Sequence, residues 1–179
     1  MDKEVFESYR KAGEIAVKVK DFAKKTITPG MKLVDIAKII DKKIFELGGE
    51  VAFPVNLSIN EVAAHYSPDL FDESTAFGLL KVDVGVHVNG FIADTAFSID
   101  LTPDKVHSKL IQASKIALDN ALDLLKVDSQ INLIGKTIQE SIEKSGFSPI
   151  TNLSGHSLDK FDLHSGITIP NYDNSNEKN

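Results

Sequence analysis

Val82, Val84, Val86 and Val88 alternate with Asp83, Gly85 and His87. A period of two puts the valines on one face of a strand. Asn89-Gly90 follows, a strong two-residue turn signal because both central positions of a type I′ turn need φ > 0. The stretch from Leu80 to Asp100 therefore reads as a β-hairpin. A two-residue loop sets its register. Val88 faces Phe91, Val86 faces Ala93, Val84 faces Thr95 and Val82 faces Phe97, which gives an apolar face fit for a core. On the other face His87 meets Ile92, Gly85 meets Asp94 and Asp83 meets Ala96. Asp83 and Asp94 become diagonal neighbours, with Cα atoms about 7–8 Å apart. A glycine opposite Asp94 is expected to leave a hollow beside it.

Elsewhere the pattern turns helical. Val5, Tyr9, Ala12, Ile15, Ala16, Val19, Phe22 and Ala23 mark one stripe of a long helix over 2–26. Thr28-Pro29-Gly30 breaks it. A second helix covers 33–47, with Gly48-Gly49 after its end. Val51 to Phe53 reads as a short strand that Pro54 ends or confines to a sheet edge, and Leu57 to His65 as a further extended segment. Thr102-Pro103-Asp104 predicts a helix start, with Thr as N-cap and Pro in the first turn. That helix is expected to run to Lys126, turning Val106, Leu110, Ala113, Ile116, Ala117, Leu118, Ala121, Leu124 and Leu125 mostly inward. A fourth helix covers 131–144, and the polar residues 171–179 read as a loop or frayed tail.

The order repeats. Ile134, Gly135, Lys136, Ile138, Ile142 and Gly146 echo Ile36, Ala37, Lys38, Ile40, Ile44 and Gly48, and Asn152-Leu153-Ser154 echoes Asn56-Leu57-Ser58. Both halves read long helix, break, shorter helix, glycine, short strand. The first half closes with the hairpin and the second has no counterpart to it. The expectation is one domain over 1–179 that ends inside its second half: a first half over 2–101, a partial second half over 102–170 and the tail. Apolar faces left uncovered by such an incomplete half would form an exposed patch.

Composition narrows the chemistry. The 179 residues are 42% hydrophobic and 26% charged, with net charge −6 and no cysteine. Disulfides, thiol nucleophiles and Cys-ligated metals are excluded, and nothing points to general nucleic-acid affinity. No apolar run reaches membrane-spanning length, and Met1-Asp2-Lys3-Glu4 opens a helix rather than a signal peptide. A cytoplasmic location is the expectation.

Any metal site must use Asp, Glu and His. Asp83 and Asp94 are either a wetted polar face or donors for a cation or metal pair. Of the five histidines, His107 reads as a surface residue and His87 as a supporting one. His65 lies just before a Ser-Pro turn, which suits a satisfied polar residue as well as a catalyst. His156 follows Ser154-Gly155, and His164 lies an even number of residues further on. One imidazole with two carboxylates is enough for a mononuclear site with an open position and thin for a dinuclear one.

Several motifs resemble a known family. Phe53-Pro54, Leu57-Ser58, Asn60-Glu61-Val62-Ala63-Ala64-His65-Tyr66, Val82-Asp83-Val84-Gly85-Val86-His87, Gly90-Phe91-Ile92-Ala93-Asp94-Thr95-Ala96, Gly155-His156-Ser157 and Leu163-His164-Ser165-Gly166 occur in the order found in type II methionine aminopeptidases, the archaeal and eukaryotic kind of peptidase family M24. The resemblance spans nearly the whole chain. It implies an α+β "pita-bread" (creatinase/aminopeptidase) fold of two pseudo-symmetric halves around two divalent metal ions (Co, Mn, Fe or Zn), with the second half incomplete here. Carried over by residue, Asp83 chelates one metal, Asp94 bridges both and His156 binds the other. His65 and His164 face the scissile amide and stabilise the tetrahedral intermediate, while Phe53 and Leu163 line the methionine pocket. The activity implied is removal of the initiator methionine. The partners implied are nascent polypeptide N-termini, met at the ribosome, with no membrane and no specific nucleic acid.

The chain departs from the family at one point. The family completes its metal site with two glutamates after the second histidine. Here Glu177 is the sole glutamate after His164, in a polar context unlike the family's. The expectation is therefore an N-terminal part of such an enzyme, inactive alone. The competing readings are a proline dipeptidase-like (Xaa-Pro) enzyme and a non-catalytic pita-bread binding module.

Overall fold

The computed structural model describes residues 2–175; Glu177 lies outside them. The chain divides into two compact units, Met1–Val106 with Leu158–Leu163, and His107–Ser157 with His164–Asn179. A short return of later chain thus belongs with the first unit, which no local sequence pattern signals.

The first unit begins with α1 (Lys3–Thr26), whose N-cap Asp2 accepts a hydrogen bond from the Glu4 N–H at 3.4 Å. Next come α2 (Leu33–Glu46), β1 (Glu50–Ile59), β2 (Leu79–Val88) and β3 (Phe91–Asp100). The strands form an antiparallel sheet in the order β1-β2-β3. The β2–β3 register is the one the Asn-Gly turn dictates, with Val82↔Phe97, Asp83↔Ala96, Gly85↔Asp94 and Val88↔Phe91. Asn89 and Gly90 take φ of 55° and 87°, as a type I′ turn requires. The valine face packs under the helices: Val82, Val84 and Val86 join Ile15, Val19, Leu33, Ile36, Ile40 and Ile44 in one core. Ile40 is fully enclosed. Truncating it to alanine is expected to cost about 2–5 kcal/mol, read as a lower urea midpoint with an unchanged slope.

Pro54 does not end β1. The strand runs through it, and its register with β2 shifts between Val51 and Phe53 and again between Phe53 and Asn56. Proline has no N–H for the ladder, so the extra residues are absorbed as bulges instead of terminating the strand. The expected extended segment over 57–65 stays in the sheet only as far as Ile59. Asn60, at φ 48°, then turns the chain away.

The second unit holds α3 (Ser108–Leu124), α4 (Ile131–Lys144), β4 (Ser154–His156) and β5 (Thr168–Pro170), the last two paired antiparallel. The third helix starts later than expected. Thr102 does act as a cap, because its Oγ1 accepts from the Val106 N–H at 3.2 Å, but it closes only a single turn. Lys105 sits at φ 53° and donates from Nζ to the Asp100 carbonyl at 2.6 Å, which breaks helical continuation. His107 is the N-cap of α3 instead. The burial of α3 agrees with the expected stripe at its alanines and differs at its larger residues. Only Ala113, Ala117 and Ala121 are buried, while Leu118, Leu122 and Leu125 are each more than half exposed. Small residues at helical spacing make the contact stripe, and the larger apolar residues lie off it.

The described part of the tail is tied down. Asn171 Nδ2 donates to the Leu153 carbonyl at 2.9 Å, and the Asp173 N–H donates to Gln139 Oε1 at 3.0 Å. Gly135 makes room, since a Cβ there would stand 2.4 Å from the Tyr172 carbonyl oxygen. The rest of the expected tail, 176–179, lies outside the described residues.

Candidate metal centre

Asp83 and Asp94 share one face of the hairpin. Strand alternation that buries Val82, Val84 and Val86 turns Asp83 to the opposite face, and the register brings Asp94 beside it. The two carboxyls interact directly. Burial, first, and the neighbouring Asp94 charge, second, push the Asp83 carboxyl up to about 7. Asp83 Oδ1 is buried without a hydrogen-bond partner. A desolvated oxygen pair of this kind is stabilised either by a proton held between the carboxyls or by a cation in its place. The donor set fits a divalent ion, of which these two residues would be ligands.

The hollow expected opposite Asp94 is filled. A Cβ on Gly85 would stand 2.3 Å from the Phe53 ring, so that ring lies directly over the glycine. The β1 bulges pair Phe53 with Gly85 and Asn56 with Asp83, setting an aromatic wall against the carboxylates. Behind the pair, Lys20 of α1 donates from Nζ to Thr95 Oγ1 at 2.7 Å, tying the residue after Asp94 to the helix.

At the hairpin tip, the Phe161 N–H donates to the Gly90 carbonyl at 2.8 Å. The Phe161 ring covers Gly90, where a Cβ would meet it at 2.5 Å, and meets the His87 ring edge-on at 5.4 Å. His87 supports the turn itself: its Nδ1 accepts from the Gly90 N–H at 3.3 Å. The sequence contains no signal for Phe161, whose own φ is 54°.

His65 sits exposed at φ 66° in the loop after β1, a conformation that a non-glycine residue holds only when its surroundings enforce it. The enforcement comes from its neighbour. The Leu57 N–H donates to the Tyr66 carbonyl at 2.6 Å, and the Tyr66 N–H donates to Ser58 Oγ at 3.3 Å. Leu163 is half-buried in the first unit.

In the second unit, the His156 and His164 rings stand 4.3 Å apart, tilted by 55°. The structure thus brings together Asp83 with Asp94 and His156 with His164. Among the described residues no group of three or more His, Asp or Glu side chains lies close enough to hold a metal ion.

Comparison with known proteins decides the family. The sequence pattern of "Metallopeptidase family M24" matches residues 7–179. The chain belongs to metallopeptidase family M24. Within it the similarity is to archaeal methionine aminopeptidases. The chain is 49% identical to that of Thermococcus onnurineus over 167 residues, 92% of this chain and 56% of the relative. To that of Methanocaldococcus jannaschii it is 46% identical, over 99% of this chain and 60% of the relative. A Methanothermus fervidus methionine aminopeptidase is 41% identical, covering 95% of this chain and 97% of the relative. The chain therefore spans little more than half the length of the first two relatives. Among solved structures, methionine aminopeptidase from Thermotoga maritima superposes with TM-score 0.85 at 24% identity, covering 96% of this chain and 72% of that one. Prolidase from Pyrococcus furiosus does so with TM-score 0.79 at 22% identity, covering 96% and 52%. The fold of this M24 chain is the α+β pita-bread fold.

Proposed function

We propose that this M24 chain carries metal ligands and substrate-facing groups for removal of the initiator methionine from nascent peptides. The observation that carries the reading is the Asp83–Asp94 pair: two interacting carboxyls, one pushed up to about 7, with a buried oxygen lacking a partner. Asp83, Asp94 and His156 would hold divalent metal, two ions of Co, Mn, Fe or Zn. When bound, the ions supply Lewis acidity toward water and toward the peptide carbonyl. The chain's own groups then orient the substrate. His65 and His164 would donate to the carbonyl and to the departing amine. Phe53, over Gly85, offers an apolar wall to a thioether side chain, and Leu163 is a second wall. The working location is the cytoplasm, where N-termini emerge from the ribosome.

The 179 residues hold three of these ligands. The two further glutamates that the family resemblance implies have no counterpart after His164 except Glu177. The purified chain is accordingly expected to release little or no methionine from Met-Ala-Ser, while calorimetry detects divalent-metal binding. Robust release by the chain alone, or absence of metal binding, would overturn the reading. A longer chain that adds the relatives' further length to these residues should cleave Met-Ala in preference to Ala-Pro. Preference for Ala-Pro would favour a prolidase-like enzyme instead.

A further inference from the structure

The Ser157 and Ser165 hydroxyls lie outside every role assigned above, yet they adjoin the two histidines in the chain. The Ser165 hydroxyl donates to Ser157 Oγ at 2.9 Å, and the Ile167 N–H donates to the same oxygen at 3.0 Å. Two backbone bonds run alongside: the Ser157 N–H to the Ile167 carbonyl at 2.9 Å, and the Ser165 N–H to the Ser157 carbonyl at 3.0 Å. Four hydrogen bonds thus close the stem of the loop that leaves after Ser157 and returns at His164. His156 is one residue before this stem on one side, paired with Thr168 across β4 and β5. His164 is one residue before Ser165 on the other. Both serines are half-buried, so their bonds are shielded in part from water.

A short polar stem of this kind does little for the core, since it encloses no large apolar side chain. At its ends the two imidazoles stand 4.3 Å apart and are tilted by 55°.

We propose that Ser157 and Ser165 are positioning residues: their hydroxyl pair latches the loop stem so that His156 and His164 are presented as one preformed imidazole pair. This rests on the reading of His156 as a metal ligand and His164 as a substrate-facing group. Supporting hydrogen bonds around metal-binding histidines typically set affinity by about 10–100-fold. The latch acts in that way, with Ser157 Oγ as its hub because it receives both side-chain-directed bonds.

The test uses the 179-residue chain and two readouts. The first is the NOE between the His156 and His164 ring protons. The second is Co(II) affinity, followed by visible absorption. Ser157→Ala and Ser165→Ala should lose the NOE and bind Co(II) about tenfold more weakly, with thermal unfolding still cooperative. Ser157→Thr, which restores a hydroxyl, should recover both. If Ser157→Ala does not fold, Ser165→Ala keeps the Ile167 bond and carries the same comparison. An intact NOE with unchanged Co(II) affinity in the Ser157→Ala/Ser165→Ala double variant overturns the latch. His156→Ala separates the two claims. If it leaves Co(II) binding unchanged, the metal reading fails, and the NOE alone then decides the latch.

Discussion

Asp94→Asn is expected to abolish divalent-metal binding and to reduce the pH dependence of this chain's stability. Both effects follow from one arrangement. Asp83 is half-withdrawn from solvent and shares its face with a second carboxyl, so its folded-state value rises from 3.8 to about 7. The folded chain then holds a proton that the unfolded chain has already released. That proton-linked stability is fully present below the unfolded value and disappears as pH rises through about 7. For chain stripped of metal, stability should therefore fall between about pH 4 and pH 7, by on the order of 2 kcal/mol once partial solvent exposure is discounted. A divalent ion substitutes for the proton, so metal affinity should climb over the same interval. Urea midpoints measured from pH 4.5 to 8 with and without Mn(II) read both trends. In Asp94→Asn the carboxylate neighbour is gone. Burial still holds Asp83 above its ordinary value, but the shift shrinks and the metal loses a ligand. Wild type and Asp94→Asn with the same pH slope would refute the coupling.

The second large effect is expected at Gly85. A methyl group there would overlap the Phe53 ring at 2.3 Å. Neither partner yields easily, because Gly85 lies mid-strand and Phe53 is pinned between two bulges of β1. Gly85→Ala should destabilise the chain by about 1–3 kcal/mol through overpacking and weaken metal binding by pushing the aromatic wall off the carboxylate face. In a Phe53→Ala background the clash is absent. Gly85→Ala should then cost close to nothing, as strand glycines are unfavourable in themselves. A double-mutant cycle tests this, with a coupling of at least about 1 kcal/mol expected between neighbours of this kind. Additive single effects would show that the ring does not rest on Gly85 in solution.

Relatives at 41–49% identity place the chain with archaeal methionine aminopeptidases, and that resemblance was already visible in motif order. The physics beneath it was also local. The hairpin, its register and the sharing of one face by Asp83 and Asp94 depend on a two-residue turn and a period of two, both written in adjacent residues. The helices over 3–26, 33–46 and 131–144 follow from apolar stripes and glycine stops. The start of α3 did not follow, because Thr102 caps a single turn as readily as a helix. Lys105 at positive φ decides between them through a bond to Asp100 made in three dimensions.

By itself, the sequence determined the hairpin, the acid pair, the family and the residue types able to bind metal, since each arises from spacing along the chain. Only the tertiary structure decided what surrounds them. It set Phe53 over Gly85 through bulges that absorb Pro54. It brought Phe161 onto Gly90 from far along the chain and stood the His156 and His164 rings 4.3 Å apart. These contacts join residues remote in sequence, and their energies depend on shape and burial that no local pattern encodes.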